Sequence, residues 1–163
     1  MYWAVGFVQA LPGPGGYDRD MTGHVAHAKV TVDATPQQAW QALTEPAQIR
    51  RWMVGTEVST DWQVGSPITW RGEMNGKPYE DKGEVLEFDE PRRLSTTHYS
   101  PLMGQEDRPE SYHTVTYTLD GEDNGPTTVT LEQDGNDSEE QAEQFSQNWQ
   151  GMLDAFKESV EES

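Results

Sequence analysis

Apolar and polar residues alternate from Val25 to Val32, the period-two signature of a strand with one buried face. The period then changes. Thr35 suits a helix N-cap, Pro36 the first helical position, and Gln38 the place where a capping box needs an amide. Ala39, Trp40 and Leu43 form the apolar stripe of this helix. Glu45-Pro46 starts a second helix, with Ile49, Trp52 and Met53 as its stripe. Helices this short do not stand without tertiary support, so Trp40 and Trp52 are expected to anchor them to a larger framework.

Further strands follow, separated by turn signals. A crossing near Glu57–Val64 is weakly marked. "SPITWRGEM" meets "KPYEDKGEVLEF" through Asn75-Gly76, a strong two-residue hairpin signal. "LSTTHYS" follows "EPRR", and "SYHTVTYTL" pairs with "PTTVTLEQ" across "DGEDNG". The last element is a long amphipathic helix. Ser138 and Gln141 suggest a capping box, and Phe145, Trp149, Met152, Leu153, Phe156 and Val160 form one broad stripe. The order of elements predicts an α+β domain: a curved antiparallel sheet of about six to seven strands with the long C-terminal helix on one face, and two short helices after the first strand.

Symmetric pairing about the loops assigns the faces. It sets Leu94 opposite Tyr117, Thr96 opposite Val115 and His98 opposite His113, on the more apolar and therefore inward face. The next hairpin, centred on Asp123, is expected to pair Tyr117 with Val129 and Val115 with Leu131. In the Asn75-Gly76 hairpin, Ile68, Trp70, Gly72 and Met74 point inward, followed by Tyr79 and Asp81, with a bulge expected near Val85–Phe88. The inner wall then holds Trp70, Tyr79, Val115 and Tyr117, roofed by Phe145, Trp149 and Met152, with Trp52 beside it.

Composition narrows the function. The 163 residues suffice for one domain with a single core. The 29 Asp+Glu against 11 Lys+Arg give a formal charge of −18, which would repel nucleic acid rather than displace its counterions. Only four of the basic residues are lysine; such a surface is what a salt-rich cytoplasm selects, although acidity also improves solubility in ordinary cells. The lack of cysteine excludes disulfides, thiol nucleophiles and thiolate metal sites. No window approaches a membrane span, and the apolar start "MYWAVGFV" lacks the basic flank of a signal peptide. A cytoplasmic protein is expected, with residues 1–22 an appendage, disordered or loosely docked, and 23–163 the domain.

Three ordered stretches carry a family resemblance: Val32 to Met53, Val64 to Leu94, and "TTVTLEQDG" with "NWQGMLDAF" between Thr127 and Phe156. The chain resembles the START-like (SRPBCC, helix-grip) superfamily, in the branch homologous to the activator of the heat-shock-protein-90 ATPase. The resemblance implies a seven-stranded sheet gripping the C-terminal helix, with a cavity between them closed on one side by the short helices. It implies no catalytic motif, because the superfamily hosts ligand carriers, cyclases, hydrolases and co-chaperones on one scaffold. His98 departs from it, where relatives often place an aromatic residue.

The polar candidates are His98 and His113, an inward pair able to orient a polar ligand head or to act as a general base. His24 and His27, three apart on a strand, point to opposite faces and do not chelate one ion. No G-x-S-x-G elbow occurs. The expectation is a non-enzymatic binding protein for a small, partly hydrophobic or amphipathic molecule, without catalytic residues, metal or cofactor. Its candidate site is Trp52, Trp70, Tyr79, His98, His113, Val115, Tyr117, Phe145, Trp149 and Met152. Alternatives are a chaperone-associated interaction protein, or a cyclase- or hydrolase-type enzyme using His98, His113 or Asp81.

Overall fold

A computed structural model describes residues 21–162. It contains β1 (His24–Val32), α1 (Pro36–Thr44), α2 (Pro46–Trp52), β2 (Glu57–Ser59), β3 (Pro67–Met74), β4 (Lys77–Asp89), β5 (Arg93–His98), β6 (His113–Asp120), β7 (Thr127–Asn136) and α3 (Glu139–Glu161). The strands form one seven-stranded antiparallel sheet in the order β1-β7-β6-β5-β4-β3-β2, and α3 packs against it. This is the helix-grip fold.

The expected N-terminal appendage lies almost wholly outside the described residues. Its last residue, Thr22, is buried, and its backbone N–H and hydroxyl both donate to Asp134 Oδ2 at 3.3 Å.

Local chemistry explains the short helices. The Thr35 hydroxyl accepts from Gln38 N at 3.1 Å while Gln38 Oε1 accepts from Thr35 N at 2.9 Å, a complete capping box. At α3 only half of that motif forms. Ser138 Oγ accepts from Gln141 N, but Gln141 Oε1 takes the Asp137 N–H instead. The tryptophans supply the tertiary support. Trp40 meets Phe88 of β4 edge-on at 5.1 Å, and Trp52 meets Phe156 of α3 at 5.2 Å. Trp52 also donates its indole N–H to Ala42 O at 2.9 Å, tying α2 to α1 and α3 at once. Each such buried ring contributes about 1.5–3 kcal/mol.

The β5–β6 register is as expected, with His98 opposite His113 and Leu94 opposite Tyr117. The β6–β7 register differs by two residues: Tyr117 faces Leu131, Leu119 faces Val129 and Val115 faces Gln133. The loop turns one residue later than expected, because Gly125 N donates to Glu122 O at 2.8 Å with Gly125 at φ 71°. A shift of two preserves the faces, so the inward set stands, but it moves Gln133 beside Val115 in the core.

Curvature enters through β4. Its ladder with β5 slips between Val85 and Glu87, the expected bulge. Just before it, Gly83 crosses so close to β5 that a Cβ there would collide with the Thr97 carbonyl oxygen. These two devices let one long strand serve both the β3 hairpin and the β5–β6–β7 wall.

Candidate functional site

Two spaces open between sheet and helices. The inner one lies under the middle of α3, where Trp70, Thr96, His98, Val115, Tyr117 and Trp149 converge with Leu43 and Ile49 from the short helices. Its volume is only about 40 Å³. A water molecule occupies about 30 Å³ in the liquid, whereas ligand pockets span roughly 300–1,000 Å³. The apolar side chains fill most of the volume that the fold encloses.

The second space is a cleft of about 610 Å³ at the mouth of the grip. Three elements build it. The end of α2 and the turn after it supply Trp52, Met53, Val54 and Thr56. The β3–β4 hairpin supplies Trp70, Glu73, Met74, Tyr79 and Asp81. The middle of α3 supplies Gln147, Asn148, Gly151, Met152 and Ala155. Trp52, Met53 and Trp70 border both spaces.

Backbone pairing explains the hairpin wall. Trp70 lies opposite Asp81 and Gly72 opposite Tyr79, so all four share one face. The Tyr79 ring lies over Gly72, where a Cβ would come within 2.7 Å of the phenol oxygen. The same hydroxyl is hydrogen-bonded to Thr56 Oγ1 at 2.9 Å, joining the hairpin to the α2 turn. At that turn Val54 is 88% exposed with φ +48°, a strained conformation for a β-branched residue.

Asp81 is only 4% exposed and is the polar feature shared by cleft and core. Its Oδ2 lies 3.0 Å from His98 Nε2, and the Trp70 ring centre lies 5.0 Å from that imidazole. Burial pushes the His98 pKa from 6.5 down to about 4, outweighing the opposite pull of Asp81. The ring is therefore neutral at neutral pH and donates Nε2–H to the carboxylate.

His113 sits deeper. Its Nδ1 lies 2.7 Å from Asp134 O, and because a carbonyl only accepts, the proton is on Nδ1 and Nε2 is a bare acceptor. Burial lowers this pKa to about 4 as well. Gln133, fully buried, accepts from Trp149 Nε1 at 3.0 Å and so links α3 to the sheet. Burial also raises the pKa of the Tyr117 phenol. Among the described residues, no group of three or more His, Asp or Glu side chains is arranged to hold a metal ion. Nor is any helix there long and apolar enough to cross a membrane.

The ten candidates therefore divide. Trp52, Trp70, His98, Val115, Tyr117 and Trp149 line the inner space, and Trp52, Trp70, Tyr79 and Met152 line the cleft. Phe145 is half-buried at the core's edge and His113 is buried within the sheet; neither lines either space. Sequence reasoning missed Gln133, although its alternation with Val129 and Leu131 already placed it inward. It also missed the cleft face of α3, Gln147, Asn148, Gly151 and Ala155, which carries no apolar stripe to signal it.

This architecture has known relatives. A family model described as Activator of Hsp90 ATPase homolog 1-like protein matches residues 33–161. The chain belongs to this family. ChR145 from Cytophaga hutchinsonii, known from its solution structure, is 40% identical, with 88% of this chain and 97% of that one covered and a TM-score of 0.75. Two more distant structures share the fold. CalU16 from Micromonospora echinospora is 23% identical over 96% of this chain and 83% of its own, with a TM-score of 0.64. The Aha1 dimer from Colwellia psychrerythraea is 18% identical over 85% and 96%, with a TM-score of 0.63. No curated protein matches the sequence.

Proposed function

We propose that this member of the Activator of Hsp90 ATPase homolog 1-like family is a non-enzymatic binding module. Its ligand is a small, partly hydrophobic molecule held in the cleft between the β3–β4 hairpin, the α2 turn and α3. The observation that carries this is the 610 Å³ cleft itself, of ligand size, in which the apolar side chains of Trp52, Met53, Trp70, Met74 and Met152 stand beside polar groups from Thr56, Tyr79, Asp81, Gln147 and Asn148. The Asp81–His98 pair argues for orientation rather than catalysis. An imidazole whose conjugate acid has a pKa of about 4 is a weak base at neutral pH, poorly matched to proton abstraction.

A neutral probe tests the proposal. Titration with 1-decanol, followed by amide and indole NMR shifts, is expected to move Trp52, Trp70, Tyr79 and Met152. The variant Gly151→Trp fills the cleft from a position where a Cβ meets nothing within 4 Å, and it should abolish those shifts while leaving the fold intact. No shift in the parent, or equal shifts in the variant, sinks the proposal.

Family membership favours a second reading, interaction with a chaperone. An unchanged ATPase rate of the host's own Hsp90 on adding this protein would dispose of it.

A further inference from the structure

The first stretch of the chain is chemically unlike the rest. Tyr2, Trp3, Ala4, Val5, Phe7 and Val8 are apolar, and the first charged side chain comes only at Asp18, in a molecule with 29 acidic residues. An apolar run of this size needs cover from water, and it enters an apolar site without desolvating a charge. The cleft has the matching deficit. Trp52, Met53, Trp70, Met74 and Met152 line it, and Val54 beside them is 88% exposed. Its 610 Å³ is room for an occupant of drug size, which two aromatic side chains and the backbone joining them match.

The point of attachment lies at the same end of the sheet as the cleft. Thr22 is buried and held by three hydrogen bonds, two to Asp134 Oδ2 at 3.3 Å and one from Gly135 N to its own carbonyl at 2.8 Å. From it a row of contacts crosses the sheet. Asp134 O accepts from His113 Nδ1 at 2.7 Å, His113 lies opposite His98, and His98 Nε2 lies 3.0 Å from Asp81 Oδ2, on the cleft wall. Four steps between neighbouring strands, from β1 to β4, at about 4.8 Å each put Thr22 roughly 20 Å from Asp81. Residues 9–21 reach at most about 43 Å when extended, well beyond that span. An end tethered within reach of its site is present there at an effective concentration on the order of millimolar.

We propose that residues 2–8 of the chain fold back into the cleft and occupy it when no ligand is bound, with Trp3 and Phe7 as anchors, so that a ligand enters by displacing them. The docking stands apart from the binding reading above; its effect on ligand entry rests on that reading. The outer face of the sheet is a poorer host, because it presents polar side chains such as Thr118, Thr130 and Glu132.

The chain has no cysteine, so Ala4→Cys takes a single nitroxide label. In the full-length labelled protein, NMR signals of the Gly151 amide, the Trp70 indole and the Met74 and Met152 methyls should broaden, while the amides of Thr118 and Thr130 should not. Adding Trp3→Asp and Phe7→Asp to the labelled chain should remove the broadening. The same two changes in the unlabelled chain should tighten binding of 1-decanol several-fold.

Broadening that is absent from the cleft, or that falls on Thr118 and Thr130, overturns the docking. So does cleft broadening that appears only between labelled and unlabelled molecules in a mixture, because the occupant is then a second copy. With intramolecular broadening present, equal decanol affinities of parent and double variant overturn the displacement. If broadening is present and decanol binds neither protein, the docking stands and the binding reading fails. If broadening is absent and decanol binds both equally, this inference fails and the binding reading stands.

Discussion

His98 and His113 face each other across β5 and β6, each only 1% exposed. Each is neutral because burial penalises the imidazolium more than its neighbours favour it. The unfolded chain binds protons at these histidines near pH 6.5, the folded chain only near pH 4. Between those values the unfolded state holds more protons, so stability rises with pH there and falls on acidification. Asp134 works the other way, since burial raises its pKa above 3.8 and the folded state takes up its proton more readily. The urea midpoint is therefore expected to drop between pH 7 and about pH 5, where the histidines dominate. Replacing His113 with Gln should flatten that slope; an unchanged slope would show that His113 does not contribute to it. The opposition of these two residues was legible in the sequence, because symmetric pairing about one loop suffices to find it. What each ring touches was not: Asp81 reaches His98 from β4, and Asp134 reaches His113 from β7.

At the scale of elements, the relation between α3 and β1 stands out physically. β1 is an edge strand, and an uncovered edge offers free N–H and C=O groups to other chains. Polar side chains of α3 occupy those groups. Ser146 Oγ accepts from His27 N at 2.9 Å, Gln150 takes both the N–H and the C=O of Lys29, Lys157 donates to Thr31 O at 2.9 Å, and Glu161 accepts from Asp33 N at 2.8 Å. The helix thus buries its apolar stripe in the grip and caps the sheet with its flank. Gln150→Ala should cost about 1 kcal/mol, as its two bonds are exposed, and should promote concentration-dependent association. Urea denaturation and sedimentation velocity check the two parts; an unchanged midpoint and a monodisperse variant would refute the capping role. The 3.6-residue period revealed the stripe that packs inward. The capping flank has no hydrophobic signature, so its partner strand became visible only in three dimensions.

Over the whole molecule, charge is the dominant feature. The ion pairs in the structure are mostly exposed, including Arg50–Glu57, Arg71–Glu80 and Arg108–Glu106, and contribute little individually. They leave an excess of carboxylates whose mutual repulsion opposes the compact state. Screening shortens from about 10 Å near 0.1 M salt to about 3 Å near 1 M. The urea midpoint should therefore rise between those salt concentrations, and a flat response would count against a repulsion-limited fold.

The sequence by itself determined most of the elements, their order and the inward faces of the strands from β3 to β7. Those follow from local periodicity, capping and turn chemistry, which a chain expresses before it folds. The family was legible in the resemblance of three ordered stretches. Tertiary structure decided how much space remained. The aromatic side chains assigned to a cavity largely fill the inner volume, leaving about 40 Å³, and the ligand-sized cleft opens instead where the α2 turn, the hairpin and α3 diverge. Volume depends on how side chains from distant segments interdigitate, and on a register set by one turn at Glu122–Gly125. No one-dimensional pattern carries that information.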